Sequence, residues 1–122
     1  MRTGLGICGL LVLVALPVDG GSQLTMRASP AQSFAPSFVR VQVRIEPHAD
    51  NRWLEVIAES DEFYRSSEIQ LDGDRAPATT YLEYPNLPGG DYQIVGVLKD
   101  GAAHQRSIAR DHVRVIGSGI SR

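Results

Sequence analysis

The residues of this chain that could hold a metal ion are three histidines, His48, His104 and His112. None is separated from another by two or four positions, the spacings that bring two imidazoles to one face of a strand or a helix. No cysteine follows Cys8 in the sequence, so no thiolate can assist. A calcium site is not expected either, because Asp72-Gly73-Asp74 lacks the further oxygen ligands of a calcium loop and Asp-Gly is a common turn sequence. We therefore expect no metal site and no cofactor.

A hydrolytic site would need a nucleophile beside a general base and an orienting acid. Ser66 and Ser67 have no nucleophile-elbow sequence around them. Asp111 and His112 are adjacent, so on a strand their side chains would point to opposite faces. The other acidic residues are scattered at alternate positions, which is typical of a solvated strand face rather than of the paired carboxylates of a glycosidase. We therefore predict that the protein is not an enzyme.

Arginines recur at even spacing in two segments and form a candidate binding surface, which we call the arginine stripe. Its members are Arg40, Arg44, Arg106, Arg110 and Arg114. If the first and last strands of the fold are neighbours, the five guanidinium groups form one face suited to an acidic partner or a polysaccharide. The competing interpretation, which we favour, is that charges on edge strands prevent aggregation between sheets.

Exposed aromatic residues form a second candidate surface, made of Trp53, Tyr64 and Tyr81. On one outer face of a domain these rings could stack on sugars. Aromatic residues in strands more commonly pack against their cross-strand neighbours. A carbohydrate-binding accessory domain is therefore the alternative function.

The elements that position these residues are predicted to be short strands. Apolar residues alternate with polar ones from Phe38 to Ile45, which is the two-residue period of a strand. Residues 52–59 fit either a strand or a short amphipathic helix, and the β character of the neighbouring segments favours the strand. Further strands are predicted at 63–71, 79–84, 92–98 and 104–116, the last with a bulge near Asp111. About seven short strands with turn signals every 8 to 12 residues predict an all-β sandwich.

The turn Leu87-Pro88-Gly89-Gly90-Asp91-Tyr92 introduces the strand that we expect at the centre of the fold. Proline presets its own φ angle, and the two glycines supply backbone angles that other residues resist. The ring of Tyr92 is then expected in the core with its hydroxyl bonded to a loop carbonyl, the arrangement called a tyrosine corner. Leu87, Pro88, Gly90 and Tyr92 are the predicted structural residues.

The motif Leu87-Pro88-x-Gly90-x-Tyr92, preceded by Ile69-Gln70-Leu71-Asp72-Gly73, resembles bacterial immunoglobulin-like and carboxypeptidase-regulatory-like (prealbumin-type) modules. The resemblance covers residues 38–116 and implies a single immunoglobulin-like antiparallel β-sandwich. The resemblance implies almost nothing about function. The chain departs from antibody domains by lacking paired cysteines, and Trp53 falls on the second predicted strand, closer to fibronectin type III domains.

The N-terminus is typical of a secretory signal peptide, because a short basic head precedes an apolar run from Ile7 to Leu16. That run is about half the length that spans a membrane. We predict a signal peptide over residues 1–20, a flexible spacer over 21–37, the sandwich over 38–116 and a frayed tail over 117–122. The processed chain would contain no cysteine, because Cys8 is the only one.

Charge and export narrow the expected function class. The formal net charge is −2 at pH 7, whereas binding to nucleic acid or to a membrane surface normally needs a basic excess. We therefore expect no nucleic-acid partner and no membrane insertion after signal cleavage. The prediction is a small periplasmic or secreted, non-catalytic binding or assembly module. Its expected partner is another exported protein, with a polysaccharide as the alternative.

Overall fold

The computed structural model describes residues 23–117 and consists of two β-sheets packed on each other. The eight strands are β1 (Leu24–Ser29), β2 (Gln32–Phe34), β3 (Ser37–Ile45), β4 (Trp53–Ser60), β5 (Phe63–Gln70), β6 (Thr79–Leu87), β7 (Gly90–Lys99) and β8 (Gln105–Ile116). A short 3-10 helix, Gly73–Arg75, precedes β6. The predicted all-β sandwich is confirmed. The predicted signal peptide and residues 118–122 of the predicted tail lie outside the described residues.

The two sheets differ in size. One has three strands in the order β1-β3-β6, and the other has five in the order β2-β8-β7-β4-β5. All pairs are antiparallel except β2, which runs parallel to β8. The chain therefore crosses to the larger sheet for β2 and returns to the smaller one at β3. No helix within residues 23–117 is long and apolar enough to cross a membrane.

The core lies between the sheets and is built from alternate residues of the strands. Val39, Val41 and Val43 of β3 are fully buried and belong to one apolar cluster with Leu54 and Val56 of β4. Burying an aliphatic side chain of this size contributes about 1.5–3 kcal/mol. A one-residue slip in register would expose the whole set, so the two-residue period specifies which face points inward.

The predicted flexible spacer, residues 21–37, is wrong where the structure describes it. Leu24 and Ala28 are 4% and 5% exposed, and β1 pairs with β3 along its whole length. The strand after it, β2, pairs with β8. The residues of β1 do alternate, but the run is short and its inward side chains include one as small as alanine. The domain therefore begins at β1 and not at residue 38.

Two contacts tie β1 to the opposite sheet. The backbone N–H of Ala28 donates to the carboxylate of Asp111 on β8 at 2.8 Å. Met26 packs against Gly96 of β7, where an added Cβ would lie 3.0 Å from the Met26 sulfur. The N-terminal strand is thus part of the sandwich seam.

The bulge predicted near Asp111 is also wrong. The pairing of β8 with β7 is regular from Val115 opposite Gly90 to Ser107 opposite Leu98, and the register shifts only beyond that point. Ile108 therefore simply lies on the outward side of β8 while Asp111 points inward. This inward position is what allows Asp111 to reach Ala28.

The tyrosine corner is present as predicted. The ring of Tyr92 is 0% exposed, and its hydroxyl donates to the carbonyl of Pro88 at 2.6 Å. Phe63 packs edge-on against it, with 5.6 Å between ring centroids. The reason given for the glycines is wrong, however, because neither has a positive φ. Gly89 is required instead for close approach, since a Cβ there would lie 2.7 Å from the Cα of Gly117.

Asp-Gly occurs at positions 72–73 and 100–101, in two different kinds of connection. Asp72-Gly73 does not close a hairpin, because β5 and β6 belong to different sheets. Asp100-Gly101 does connect the paired strands β7 and β8. Its carboxylate accepts the N–H groups of Ala102 and His104 at 2.9 and 2.8 Å. The bond from His104 is the main cause that lowers the pKa of Asp100.

We expect the folded state to lose stability steeply in alkali. Burial raises the pKa of Tyr84 and Tyr92 above the ordinary 10.0, so the folded state keeps both phenols protonated where the unfolded chain ionises them. Each tyrosine contributes fully to the free energy of unfolding when the pH is below the pKa of its phenol in the unfolded chain. That contribution is lost as the pH rises through the pKa of the folded state, by up to about 1.4 kcal/mol per pH unit for each tyrosine. Urea titrations from about pH 8 to 11.5 measure this slope. A Tyr84→Phe/Tyr92→Phe chain should flatten it, and an unchanged slope in that chain would refute the assignment.

Candidate binding faces

The five residues of the arginine stripe lie on opposite sides of the sandwich. Arg40 and Arg44 belong to β3 in the three-stranded sheet. The other three, Arg106, Arg110 and Arg114, belong to β8 in the five-stranded sheet. The expectation that the first and last predicted strands are neighbours is wrong, because β1 and β6 flank β3. The stripe is therefore not one surface.

The three arginines on β8 have separate environments. Arg106 donates to the Oδ1 of Asn51 at 2.6 Å, and Asn51 is 0% exposed. Arg114 donates to Asp91 at 2.9 Å and lowers the pKa of that carboxyl. Arg110 is exposed, and no acidic side chain within residues 23–117 lies at ion-pair distance from it.

The three aromatic residues predicted to bind sugar do not share a face. Tyr81 lies on β6, on the outward side of the three-stranded sheet. Trp53 and Tyr64 lie on the five-stranded sheet near opposite ends of the β4–β5 pair, where Trp53 is opposite Gln70 and Tyr64 is opposite Glu59. Trp53 is half-buried, whereas Tyr64 is 62% exposed. The structure does not bring these three rings together as a stacking platform.

The three histidines are also apart. His48, between β3 and β4, accepts the backbone N–H of Asp50 at 3.0 Å. His104, between β7 and β8, lies 3.5 Å from the carboxylate of Asp100. His112 is exposed on β8. Between Gln23 and Gly117, no three His, Cys, Asp or Glu side chains are grouped as metal ligands.

The outward side chains of β1, β3 and β6 form a basic surface, which we call the three-stranded face. Its members are Thr25, Arg27, Ser29, Phe38, Arg40, Gln42, Arg44, Thr79, Tyr81 and Glu83. Three arginines against one glutamate make this face positive on a chain of net charge −2. Arg27 was not among the predicted site residues, because it lies in the predicted spacer. The signal that would have found it is the alternation of Leu24, Met26 and Ala28 around it.

One of the three arginines is engaged by neighbours on the same face. The Arg40 guanidinium lies 3.3 Å from the carboxylate of Glu83 and 5.2 Å from the centroid of the Tyr81 ring. Both members of this ion pair are about half exposed, so the pair contributes at most about 1 kcal/mol. The arrangement holds the Tyr81 ring beside the positive charges.

The other two arginines flank an open depression. Its volume is about 330 Å³, and Thr25, Met26, Arg27, Gln42 and Arg44 line it. A neighbouring depression of about 470 Å³ shares Thr25 and Arg44 with it. In the described part of the chain, no acidic side chain lies at ion-pair distance from Arg27 or Arg44. Arg27 is opposite Gln42, so its Cα is a diagonal neighbour of Arg44 at about 7–8 Å.

No protein family matches the chain, and no curated protein matches its sequence. Solved structures share its fold. A superoxide reductase (neelaredoxin) from Ignicoccus hospitalis has 15% identity and a TM-score of 0.54, covering 75% of this chain and 79% of that chain. A second structure of that protein has 14% identity and a TM-score of 0.55, covering 76% and 81%. The CARDB domain of a Pyrococcus furiosus protein, in complex with di-metal ions, has 11% identity and a TM-score of 0.49, covering 79% and 93%.

The prediction that this chain is not an enzyme is corrected by the first two structures. Superoxide reductase is an enzyme and has a similar fold. A small β-sandwich without a hydrolytic motif therefore does not exclude catalysis, because function belongs to sites and not to folds. At these identities the likeness shows the fold alone. The chain is a small all-β domain with two outward sheet faces.

Proposed function

We propose that this protein is an exported immunoglobulin-like binding module of the periplasm or the extracellular space. In this proposal its three-stranded face docks an acidic segment of another exported protein. Export rests on the N-terminal apolar run, and the relation to prealbumin-type modules rests on the turn from Leu87 to Tyr92. The observation that carries the binding role is the open depression between Arg27 and Arg44, whose charges no described acidic residue neutralises.

The chemistry of the depression suits carboxylates. A guanidinium presents N–H donors in a planar fork that matches a carboxylate in two parallel hydrogen bonds. Gln42, which also lines the depression, adds an amide that can donate or accept. The depression is open, so it suits a chain laid across the sheet better than an enclosed small molecule.

The spacing of the arginines favours an extended peptide. Arg27 and Arg44 are diagonal neighbours across β1 and β3, at about 7–8 Å between Cα atoms. An extended peptide places every second side chain on the same side at intervals of about 6.6 Å. Glutamates at alternate positions of the partner would therefore meet successive arginines.

A sugar ligand has one specific observation in its favour. Phe38 and Tyr81 are 53% and 56% exposed, and Tyr81 lies beside Arg40. An acidic polysaccharide could use the same arginines with these rings beside them. It is the second candidate, and the experiment below distinguishes it.

We expect a labelled peptide of about ten residues, with Glu and Thr alternating, to bind in the micromolar range and to lose at least about tenfold in affinity against Arg27→Ser/Arg44→Ser. Fluorescence anisotropy measures the binding. The matched control is Arg52→Ser/Arg75→Ser, which removes the same charge from exposed positions outside the face and should stay within about twofold of the wild-type affinity.

Two further probes decide the class of ligand. A peptide of the same composition with all glutamates in one block should bind more weakly, because the spacing no longer matches. Heparin is the polysaccharide probe. If heparin binds and neither peptide does, the ligand is a polysaccharide and not a protein. Equal losses of affinity in the two double variants would refute a site on this face.

A further inference from the structure

The outward side of the larger sheet forms a second surface, which we call the five-stranded face. Cross-strand register places its side chains in rows. The central row is Arg110, Val95, Ile57 and Ser66, read from β8 through β7 and β4 to β5. The row on one side is Ile108, Val97, Glu55 and Glu68, and the row on the other side is His112, Gln93, Glu59 and Tyr64.

The middle of this face is apolar. Ile57 and Val95 are directly opposite each other, as are Val97 and Ile108, and all four are half-buried. The ion pair between Glu55 and Lys99, with 2.9 Å between Oε1 and Nζ, crosses the face beside them. An apolar centre between charged borders is the layout of a protein–protein contact, whose core is apolar and whose rim is polar.

The charges on the two borders have opposite sign. Arg110 lies on the β8 border, and Glu59 and Glu68 lie on the β4–β5 border. Within residues 23–117 none of the three forms an ion pair. Arg110 and Glu68 are far apart within one chain, because β8 and β5 are three strand spacings apart, roughly 14 Å.

We propose that the five-stranded face binds the same face of a second copy of this chain. A two-fold axis parallel to the strands, between β7 and β4, places β8 of one copy over β5 of the other. Arg110 then lies over Ser66 of the second copy, next to Glu68. Ile57 lies over Val95, and the apolar centres cover each other. Two sheets packed face to face in nearly aligned directions are a common arrangement.

The complementarity selects a second copy over an unrelated protein. Under this axis every contact occurs twice, so one Arg110–Glu68 pair implies a second identical pair. If the two-fold axis ran perpendicular to the strands instead, Arg110 of one copy would lie over Arg110 of the other.

The dimer would have a consequence for binding. With the five-stranded faces in contact, the two three-stranded faces point away from each other on opposite sides. The assembly is then bivalent. It binds a ligand with repeated sites more tightly, because the first contact holds the second face at a high effective concentration. The dimer itself does not depend on the ligand proposed above, so the two proposals fail separately.

Sedimentation equilibrium of the isolated chain tests the assembly. We expect the wild type to approach twice the mass of one chain at about 100 μM, and Ile57→Lys to remain monomeric there. The matched control is Gln42→Lys, which changes an equally half-buried central position of the opposite face. Circular dichroism checks that each variant is folded. A wild type that remains monomeric up to about 1 mM overturns the proposal.

A charge exchange tests the pairing of the borders. Arg110→Glu and Glu68→Arg should each weaken self-association by at least about tenfold, because each sets like charges against one another at both sites of the dimer. Mixed in equal amounts, the two variants should restore a dimer. In the mixed dimer the two introduced side chains, of opposite charge, face each other at one site, and the native Arg110–Glu68 pair forms again at the other. If the mixture does not associate more strongly than either variant alone, the two-fold arrangement is wrong. If Ile57→Lys associates as strongly as the wild type, the contact between copies is made by another surface.

Discussion

Replacing Tyr92 by Ala is expected to destabilise the fold by about 3–5 kcal/mol, the usual cost of removing a large aromatic side chain from a core. The ring is 0% exposed and packs edge-on against Phe63. Its hydroxyl holds the carbonyl of Pro88, so the substitution removes both a core contact and the closure of the β6–β7 turn. For a domain of this size the loss corresponds to a melting temperature lower by roughly 15 °C or more. Thermal melts followed by circular dichroism measure it.

The two fully buried tyrosines provide a matched control for the hydrogen bond. Tyr92→Phe should cost about 1 kcal/mol, because it deletes only the bond to Pro88. The hydroxyl of Tyr84 is buried, and no described residue is bonded to it. Tyr84→Phe should therefore be neutral or stabilising, since it removes a polar group that gained no partner on folding. A larger loss from Tyr84→Phe than from Tyr92→Phe would contradict the assignment of the corner.

Replacing Leu24 by Ala is expected to cost about 2–3 kcal/mol, as for other leucines truncated in a core. Leu24 is 4% exposed and belongs to the main apolar cluster. Its strand is held to β3 along its length and to β8 through Asp111. Chemical denaturation of the variant measures the loss.

The neighbouring residue is the control for this second prediction. Thr25 is exposed on the opposite side of β1, so Thr25→Ala should change stability by less than about 0.5 kcal/mol. Equal, negligible effects at both positions would mean that residues 24–29 act as a spacer, as the sequence had suggested. A large difference between them would place β1 in the folded unit.

The strands were predictable wherever the two-residue period was long. Residues 38–45 became β3, and the segment 52–59 became a strand and not a helix. The corner at Tyr92 was predictable too, because a Pro-Gly turn followed by a tyrosine leaves the hydroxyl near its own loop. These features depend on residues a few positions apart, which is the range over which a sequence pattern carries information.

The N-terminal strands were not predictable in the same way. β1 has six residues and β2 has three, so the alternation of Leu24, Met26 and Ala28 is too short to distinguish a strand from a linker. What makes them strands is pairing with partners far along the chain: β1 with β3, and β2 with β8. The pairing of Arg27 with Gln42 is what brings Arg27 beside Arg44 in the candidate site.

The enzyme prediction failed for a different reason. It rested on the absence of known catalytic spacings in the sequence, and such an absence says little when side chains from distant strands can meet. The comparison with superoxide reductase shows that a similar small fold can belong to an enzyme. The prediction of the arginine stripe was wrong for a similar reason, because it assumed that the first and last predicted strands are neighbours.

Periodicity and turn chemistry were thus enough to establish an all-β sandwich with Tyr92 at its corner, because alternation and turn geometry are local properties of the chain. The order of the strands, the separation of Arg44 from Arg110 onto opposite faces and the opposed charges of the five-stranded face came from pairing between distant segments. Such pairing depends on which edges and apolar faces fit together in three dimensions, and no local pattern encodes that fit.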